Sequence, residues 1–287
     1  MKQGTFTARD GTLLAWQRTG SGPDIVIANG LGGSIPAWKH VIAALSDRFT
    51  ITAWDYRGLF ASHRPADLTT VSVPVQADDC EDLLRLFDIR KAVFMGWSYG
   101  GQVLVELYRR RPELFSGLVM LNAMVGPASG SLRLPQLCTP IFSHLLNFWT
   151  PFWRLAAPLA DRVIRSGTAI SFIKSTGLVG PELDEDVFQE IAEKFVNMDH
   201  EVFRATLESA ERYDGRGVLP LMNIPVLIIA GTRDFIVLPQ TTREIARAIP
   251  GSRLVFVPRT SHYTAVEKPA EVASEVVAFL NSLRTEP

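Results

Sequence analysis

Cysteine is scarce. Cys80 and Cys138 are the only two in 287 residues, too few for a disulfide framework. Neither stands at metal-ligand spacing and the five histidines are scattered, so no metal site is expected and no cofactor is called for. Charge of one sign is lacking too. The net charge of −1 leaves no basic excess to draw nucleic acid. The first ten residues hold no signal-peptide apolar region, and the compartment expected on that basis is the cytoplasm. No uninterrupted membrane span is present either. Residues 134–153 carry no formally charged side chain. Yet Pro135, Pro140 and Pro151 break the run, and Gln136, Ser143, His144 and Asn147 are polar. Nothing in the sequence sets an oligomeric state.

What is present suits one large domain with an insertion, since 47% of the residues are hydrophobic. Thr5–Ala8 and Thr12–Gln17 flank Asp10-Gly11 as a hairpin. Short apolar runs at 25–28, 49–54, 92–95, 117–121, 226–230 and 253–257 read as buried strands. Helical patterns lie between them, including one that Ser34 caps and Pro36 opens, one opened by Pro74 with Cys80 on its buried side, and one from Pro269 to Leu283. Strands alternating with helices imply a mostly parallel sheet covered on both faces. The rhythm breaks between 126 and 217. The expected organisation is therefore a first core part at 1–125, a helical cap insertion at 126–217 and a second core part at 218–287. The aromatic-rich stretch 134–153 is read first as a cavity wall, ahead of subunit contact or membrane-surface contact.

The run Gly96-Trp97-Ser98-Tyr99-Gly100-Gly101 joins the strand at 92–95 to a helix ending in Arg109-Arg110-Arg111. By chance roughly one chain of this length in ten would carry Gly-x-Ser-x-Gly, so the flanking strand and helix carry the signal. They hold Ser98 on a sharp turn at the positive end of a helix. A serine hydroxyl needs a base within reach, and a parallel sheet gathers its strand-end loops on one edge. Asn29, Asp55, Ser98, Asn122, Asp234 and His262 follow strands. Only His262, among the histidines, follows a core strand, which makes it the base. Asp234 is the natural carboxylate to orient its ring, with Asp55 in reserve. Oxyanion stabilisation takes two backbone N–H groups. Tyr99 opens the helix after Ser98, and Leu31 sits in the glycine loop Asn29-Gly30-Leu31-Gly32-Gly33. Asn29 is read as a stabiliser of that loop through its amide. Asp55 and Arg57 are read as loop braces, by an ion pair or backbone bonds. Glu267 and Pro269 are read as helix-start residues.

These residues resemble the α/β-hydrolase superfamily over 4–122 and 218–283. The Ser98 run looks like its nucleophile elbow. Gly231-Thr232-Arg233-Asp234 looks like its acid loop, and Ser261-His262-Tyr263 its histidine loop, in the order Ser, Asp, His. The resemblance implies an eight-stranded, mostly parallel sheet with one antiparallel strand, helices on both faces and an inserted helical cap. Two positions depart from the family pattern. Asn29 stands where histidine is common, and Phe60 where glycine is usual.

The expected activity is that of a serine hydrolase on a small-molecule carboxylic ester or related acyl compound, with an apolar group. Ser98 attacks, His262 shuttles the proton, Asp234 holds His262, and the Leu31 and Tyr99 N–H groups bind the oxyanion. Activity should rise through the imidazole titration. The alternatives on the same triad are a cofactor-free C–C bond hydrolase, lyase or perhydrolase. From another class comes a non-catalytic ligand receptor.

Overall fold

A computed structural model describes residues 1–127, 166–176 and 178–283, together with Ser129, Leu159, Asp161, Arg162 and Ile164. The stretch 134–153 and Cys138, discussed above, lie outside the described residues. The described chain forms an eight-stranded sheet: β1 (Lys2–Thr7), β2 (Leu13–Gly20), β3 (Asp24–Ala28), β4 (Thr50–Trp54), β5 (Ala92–Trp97), β6 (Phe115–Leu121), β7 (Val226–Gly231) and β8 (Arg253–Val257). Their order is β1-β2-β4-β3-β5-β6-β7-β8. β2 runs antiparallel to both neighbours, and the remaining pairs are parallel.

Burial follows position in the sheet. Every residue of β4, β5 and β7 is buried, while at the edges β1 is mostly exposed and β8 mostly half-buried. Central strands covered on both faces must be apolar throughout, which is why they read as continuous runs. Within β5, side chains alternate. Ala92 and Phe94 join one core and Val93, Met95 and Trp97 the other. The first core is closed by α2 (Val73–Leu86), α3 (Tyr99–Arg110) and α7 (Pro239–Ala248), the second by α1 (Lys39–Leu45), α8 (Thr264–Glu267) and α9 (Pro269–Ser282). Cys80 lies fully buried in the first core, and burial pushes its thiol pKa upward.

Between β6 and β7 the chain leaves the sheet. Its described helices there are α4 (Thr168–Thr176), α5 (Glu185–Asn197) and α6 (His200–Arg212). The N-cap aspartates of α5 and α6 face inward to the sheet-bearing part of the chain. Asp184 accepts from Val187 N–H and meets His40 Nε2 at 2.7 Å. Asp199 caps Val202 and pairs with Arg64 at 2.5 Å. These contacts tie both helices to loops and helices that flank the sheet. Among the described residues no helix is long and apolar enough to cross a membrane.

One sequence expectation is corrected at α1. Ser34 makes no side-chain cap bond, and its hydroxyl is buried without a partner. The segment begins with a 3-10 turn at Ile35–Trp38, in which Ala37 N–H donates to the Ser34 carbonyl at 3.0 Å and not to its hydroxyl.

The strand order reverses between β3 and β5. From β3 the chain moves to β4 on one side, then crosses to β5 on the other. A crevice opens at such a point beyond the strand ends. Ala28 pairs with Gly96 across it, so the glycine loop after β3 and the turn after β5 leave the sheet side by side.

Candidate active site

Ser98 sits at φ 53°, ψ −117°, a left-handed backbone that a residue with a side chain adopts at a cost of about 1–3 kcal/mol. Two glycines make the turn sterically feasible. A Cβ on Gly100 would lie 2.1 Å from the Ala28 carbonyl oxygen, and one on Gly96 would lie 3.0 Å from the Gly100 backbone. The turn is anchored by Ser98 N–H donating to Leu121 O at 3.1 Å, and by Ser98 O accepting from Gly101 and Met124. Tyr99 is the first residue of α3, so its N–H has no acceptor within the helix.

Two and three strand ends along, after β7 and β8, the acid and base meet. His262 Nδ1 lies 2.9 Å from Asp234 Oδ2 and 3.2 Å from Oδ1. Both residues are buried. The carboxylate is held from all sides. Oδ1 accepts from Ile236 N–H at 2.8 Å and Val237 N–H at 2.9 Å, and Oδ2 accepts from Asn122 Nδ2 at 2.7 Å. A buried carboxylate surrounded by donors keeps its orientation, and through it the ring of His262. The two loops are pressed together. A Cβ on Gly231 would meet the carbonyls of Thr260 and Ser261 at 2.3 and 2.4 Å. Behind His262, the buried Glu267 accepts from Ser261 N–H at 2.7 Å and from its hydroxyl.

The glycine loop after β3 is clamped by its first residue. Asn29 Oδ1 accepts from Trp38 Nε1 at 3.0 Å, its Nδ2 donates to Trp54 O at 3.4 Å, and its carbonyl accepts from Tyr56 Oη at 2.7 Å. Gly33 N–H closes a turn onto Gly30 O at 2.9 Å. Gly32 has φ +75°, and a Cβ there would lie 2.8 Å from the Phe195 ring. α5 therefore rests directly on this loop.

Ser98, His262 and the loop residues Gly30–Gly33 line one cavity of about 880 Å³. The rest of its wall is aliphatic or aromatic. From α5 it takes Phe188, Ile191, Ala192 and Phe195, residues one helical face apart, and from α6 Phe203 and Leu207. No Asp, Glu, Lys or Arg side chain is among the described lining residues. Within them, no hydrogen bond joins Ser98 Oγ to His262; catalytic hydrogen bonds are often completed only with substrate in place.

The structure thus brings Ser98, Leu31 and His262 to one cavity, with Asp234 behind His262 and Tyr99 beside Ser98. Three readings change. Asp55, the reserve acid, is separated from His262 because β4 lies at the far side of β3 from β5. Its carboxylate instead accepts from Ala61 N–H at 3.2 Å, and burial pushes its pKa up to about 6. Arg57 braces the interior, but its partners are Asp79 at 2.5 Å and Asp10 at 2.6 Å, not Asp55. Glu267 holds the histidine loop as well as ending α8. Asn122 reads in the sequence only as a polar residue after a strand, and the structure adds its bond to Asp234. Phe60, standing where glycine is usual, takes φ 52°, a left-handed backbone that favours glycine.

A family model described as "alpha/beta hydrolase fold" matches residues 23–269. The chain belongs to that family and is an α/β hydrolase. It is 29% identical to Rv2715, an uncharacterized protein of Mycobacterium tuberculosis, over 98% of this chain and 82% of that one. It is 28% identical to RutD of Pseudomonas savastanoi pv. phaseolicola, provisionally described as a carbamate hydrolase, over 91% of this chain and 94% of that one. Among solved structures it resembles esterase RhEst1 from Rhodococcus sp. ECU1013, with a TM-score of 0.77 at 24% identity, covering 99% of this chain and 100% of that one.

Proposed function

We propose that the protein is a serine hydrolase that cleaves carboxylic esters bearing an apolar group, through an acyl-enzyme on Ser98. The observation that carries this reading is the buried Asp234–His262 pair, at 2.9 Å, opening onto the same apolar cavity as a serine on a strained turn. His262 takes the Ser98 proton as Oγ attacks the ester carbonyl. Asp234 holds the ring so that Nδ1 donates to it and Nε2 is left to accept. The Leu31 and Tyr99 N–H groups receive the oxyanion. The tetrahedral intermediate collapses, His262 returns the proton to the alcohol, and the alcohol departs. Water, deprotonated by His262, then releases the acid and regenerates Ser98. The stretch 126–217 acts as the cap, its helices α4–α6 supplying much of the described cavity wall.

Cavity chemistry supports an apolar substrate. A pocket of about 880 Å³ is at the large end for small-molecule sites. A free carbamate, the substrate class in the RutD description, is small and polar and gains no charged partner from the described wall. Turnover of p-nitrophenyl esters from acetate to decanoate tests the reading. The expected result is kcat/KM rising beyond acetate, with loss of turnover in Ser98→Ala. Full turnover in Ser98→Ala overturns it.

A further inference from the structure

We propose that Trp97, the residue before the nucleophile, is a positioning residue that holds the oxyanion loop and the histidine loop in a fixed relation. The proposal rests on the serine-hydrolase reading above and adds a part to it. Four contacts converge on the one indole. A Cβ on Gly30 would lie 2.9 Å from Trp97 Cε3, and one on Gly33 would lie 2.2 Å from Cζ3. The ring therefore occupies the space where two side chains of the glycine loop would be. At its other end, Nε1–H donates to the His262 carbonyl at 3.2 Å. Its face is tilted toward the His262 imidazole, with centroids 5.8 Å apart.

Geometry makes this linkage consequential. The loop that presents the Leu31 N–H and the loop that carries the base arise from strands separated in the sheet by β5, β6 and β7. Trp97 ends β5 between them, and its side chain spans from one to the other. φ is positive at Gly32 (+75°) but not at Gly30 or Gly33. Backbone conformation thus accounts for glycine at 32, and contact with the indole accounts for glycine at 30 and 33. An indole is rigid, with two side-chain torsions, so movement of either loop is transmitted to the other. Nothing in this role requires Trp97 to exchange protons or bonds with substrate.

The test compares wild type, Trp97→Phe, Gly33→Ala, Gly30→Ala and the double variant Trp97→Phe/Gly33→Ala. Readouts are kcat and KM on p-nitrophenyl butyrate, the rate constant for labelling by a fluorophosphonate, and the melting temperature. Misplacing reacting groups by a fraction of an ångström is expected to cost about 10- to 100-fold. Trp97→Phe and Gly33→Ala should each lower kcat and the labelling rate by that order, with KM changed less than about threefold. The smaller phenyl ring leaves room for the methyl group that Gly33→Ala adds, so the double variant should recover kcat above Gly33→Ala. Should Trp97→Phe not fold, Gly30→Ala and Gly33→Ala press on the same ring from two points and should give the same kcat-weighted loss. Effects that multiply without recovery overturn the proposal. So does a change confined to melting temperature or KM. If Ser98→Ala keeps turnover, the serine reading itself fails. If Ser98→Ala is inactive while the Trp97 and glycine variants keep wild-type kcat, only the Trp97 role fails.

Discussion

Asp234→Asn is an informative single substitution because every polar contact of this carboxylate is a donor. The two oxygens are not equivalent. Oδ1 faces the backbone N–H groups of Ile236 and Val237 at 2.8 and 2.9 Å, and these cannot rotate. An amide nitrogen placed there would leave buried donors facing a donor, at about 1–3 kcal/mol each. The amide oxygen must therefore take the Oδ1 place, and the NH2 group the Oδ2 place. There it meets Asn122 Nδ2 at 2.7 Å and His262 Nδ1 at 2.9 Å. Asn122 can adapt by turning its amide, since its Oδ1 is buried without a partner. The turn gives up the 3.3 Å bond from its Nδ2 to Ser261 O and leaves its NH2 in the unpartnered place, at about 1–3 kcal/mol. His262 can adapt by moving its proton, so that Nδ1 accepts and Nε2 carries hydrogen. The packing survives, but Nε2 can no longer accept the Ser98 proton. A base held in the wrong tautomer costs about 10³- to 10⁴-fold in kcat, or roughly 4–5.5 kcal/mol. Steady-state hydrolysis of p-nitrophenyl butyrate, with calorimetry as the folding control, measures both consequences. The expected outcome is that loss in a folded enzyme whose melting temperature falls by several degrees. An Asp234→Asn enzyme within tenfold of wild-type kcat refutes the reasoning.

Three further outcomes are expected. Ala192→Phe fills the small gap between Phe188 and Phe195 on the cavity face of α5. It should lower kcat/KM for the octanoate ester about tenfold relative to the acetate ester, and an unchanged ratio between the two esters would place the acyl chain elsewhere. Asn122→Ala removes the 2.7 Å donor from Asp234 and puts alanine at φ +45°. Denaturant titration should show about 2–4 kcal/mol lost, and kcat should fall with it; stability equal to wild type would contradict that bond's importance. Asp55 has its pKa raised by burial to about 6, against partial opposition from the Ala61 N–H and Lys194. Its native form holds the proton longer than the unfolded chain, so its own contribution to stability is complete below about pH 4 and is lost as pH rises through about 6. The stability of Asp55→Asn minus that of wild type should therefore grow by about 3 kcal/mol from pH 4 to pH 7, and a flat difference would show Asp55 to be better solvated than its burial implies.

What the sequence reveals depends on the kind of contact. The buried strands from β3 to β7 are legible because two-sided coverage forces unbroken apolar runs, and the glycine-flanked turn at Ser98 because close backbone approach admits nothing larger. Asp234 and His262 could be paired on paper because each directly follows a strand, and neighbouring parallel strands deliver their ends to neighbouring places. Side-chain partners across layers leave no such trace. Arg57 reaches Asp79 on α2 and Asp10 in the first hairpin. Glu267 reads as a helix-start acid until its carboxylate is seen bound to Ser261. The glycines of the oxyanion loop suggest flexibility by composition. The structure shows Gly30 and Gly33 shaped by Trp97, and Gly32 facing Phe195. No periodicity encodes that packing.

Mass spectrometry of the protein inactivated by a fluorophosphonate, with peptide mapping of the adduct, tests the nucleophile most directly. One adduct is expected, on Ser98, absent from Ser98→Ala and strongly diminished in His262→Ala. Adduct formation on another residue, or inactivation that persists in Ser98→Ala, contradicts an acyl-enzyme at Ser98.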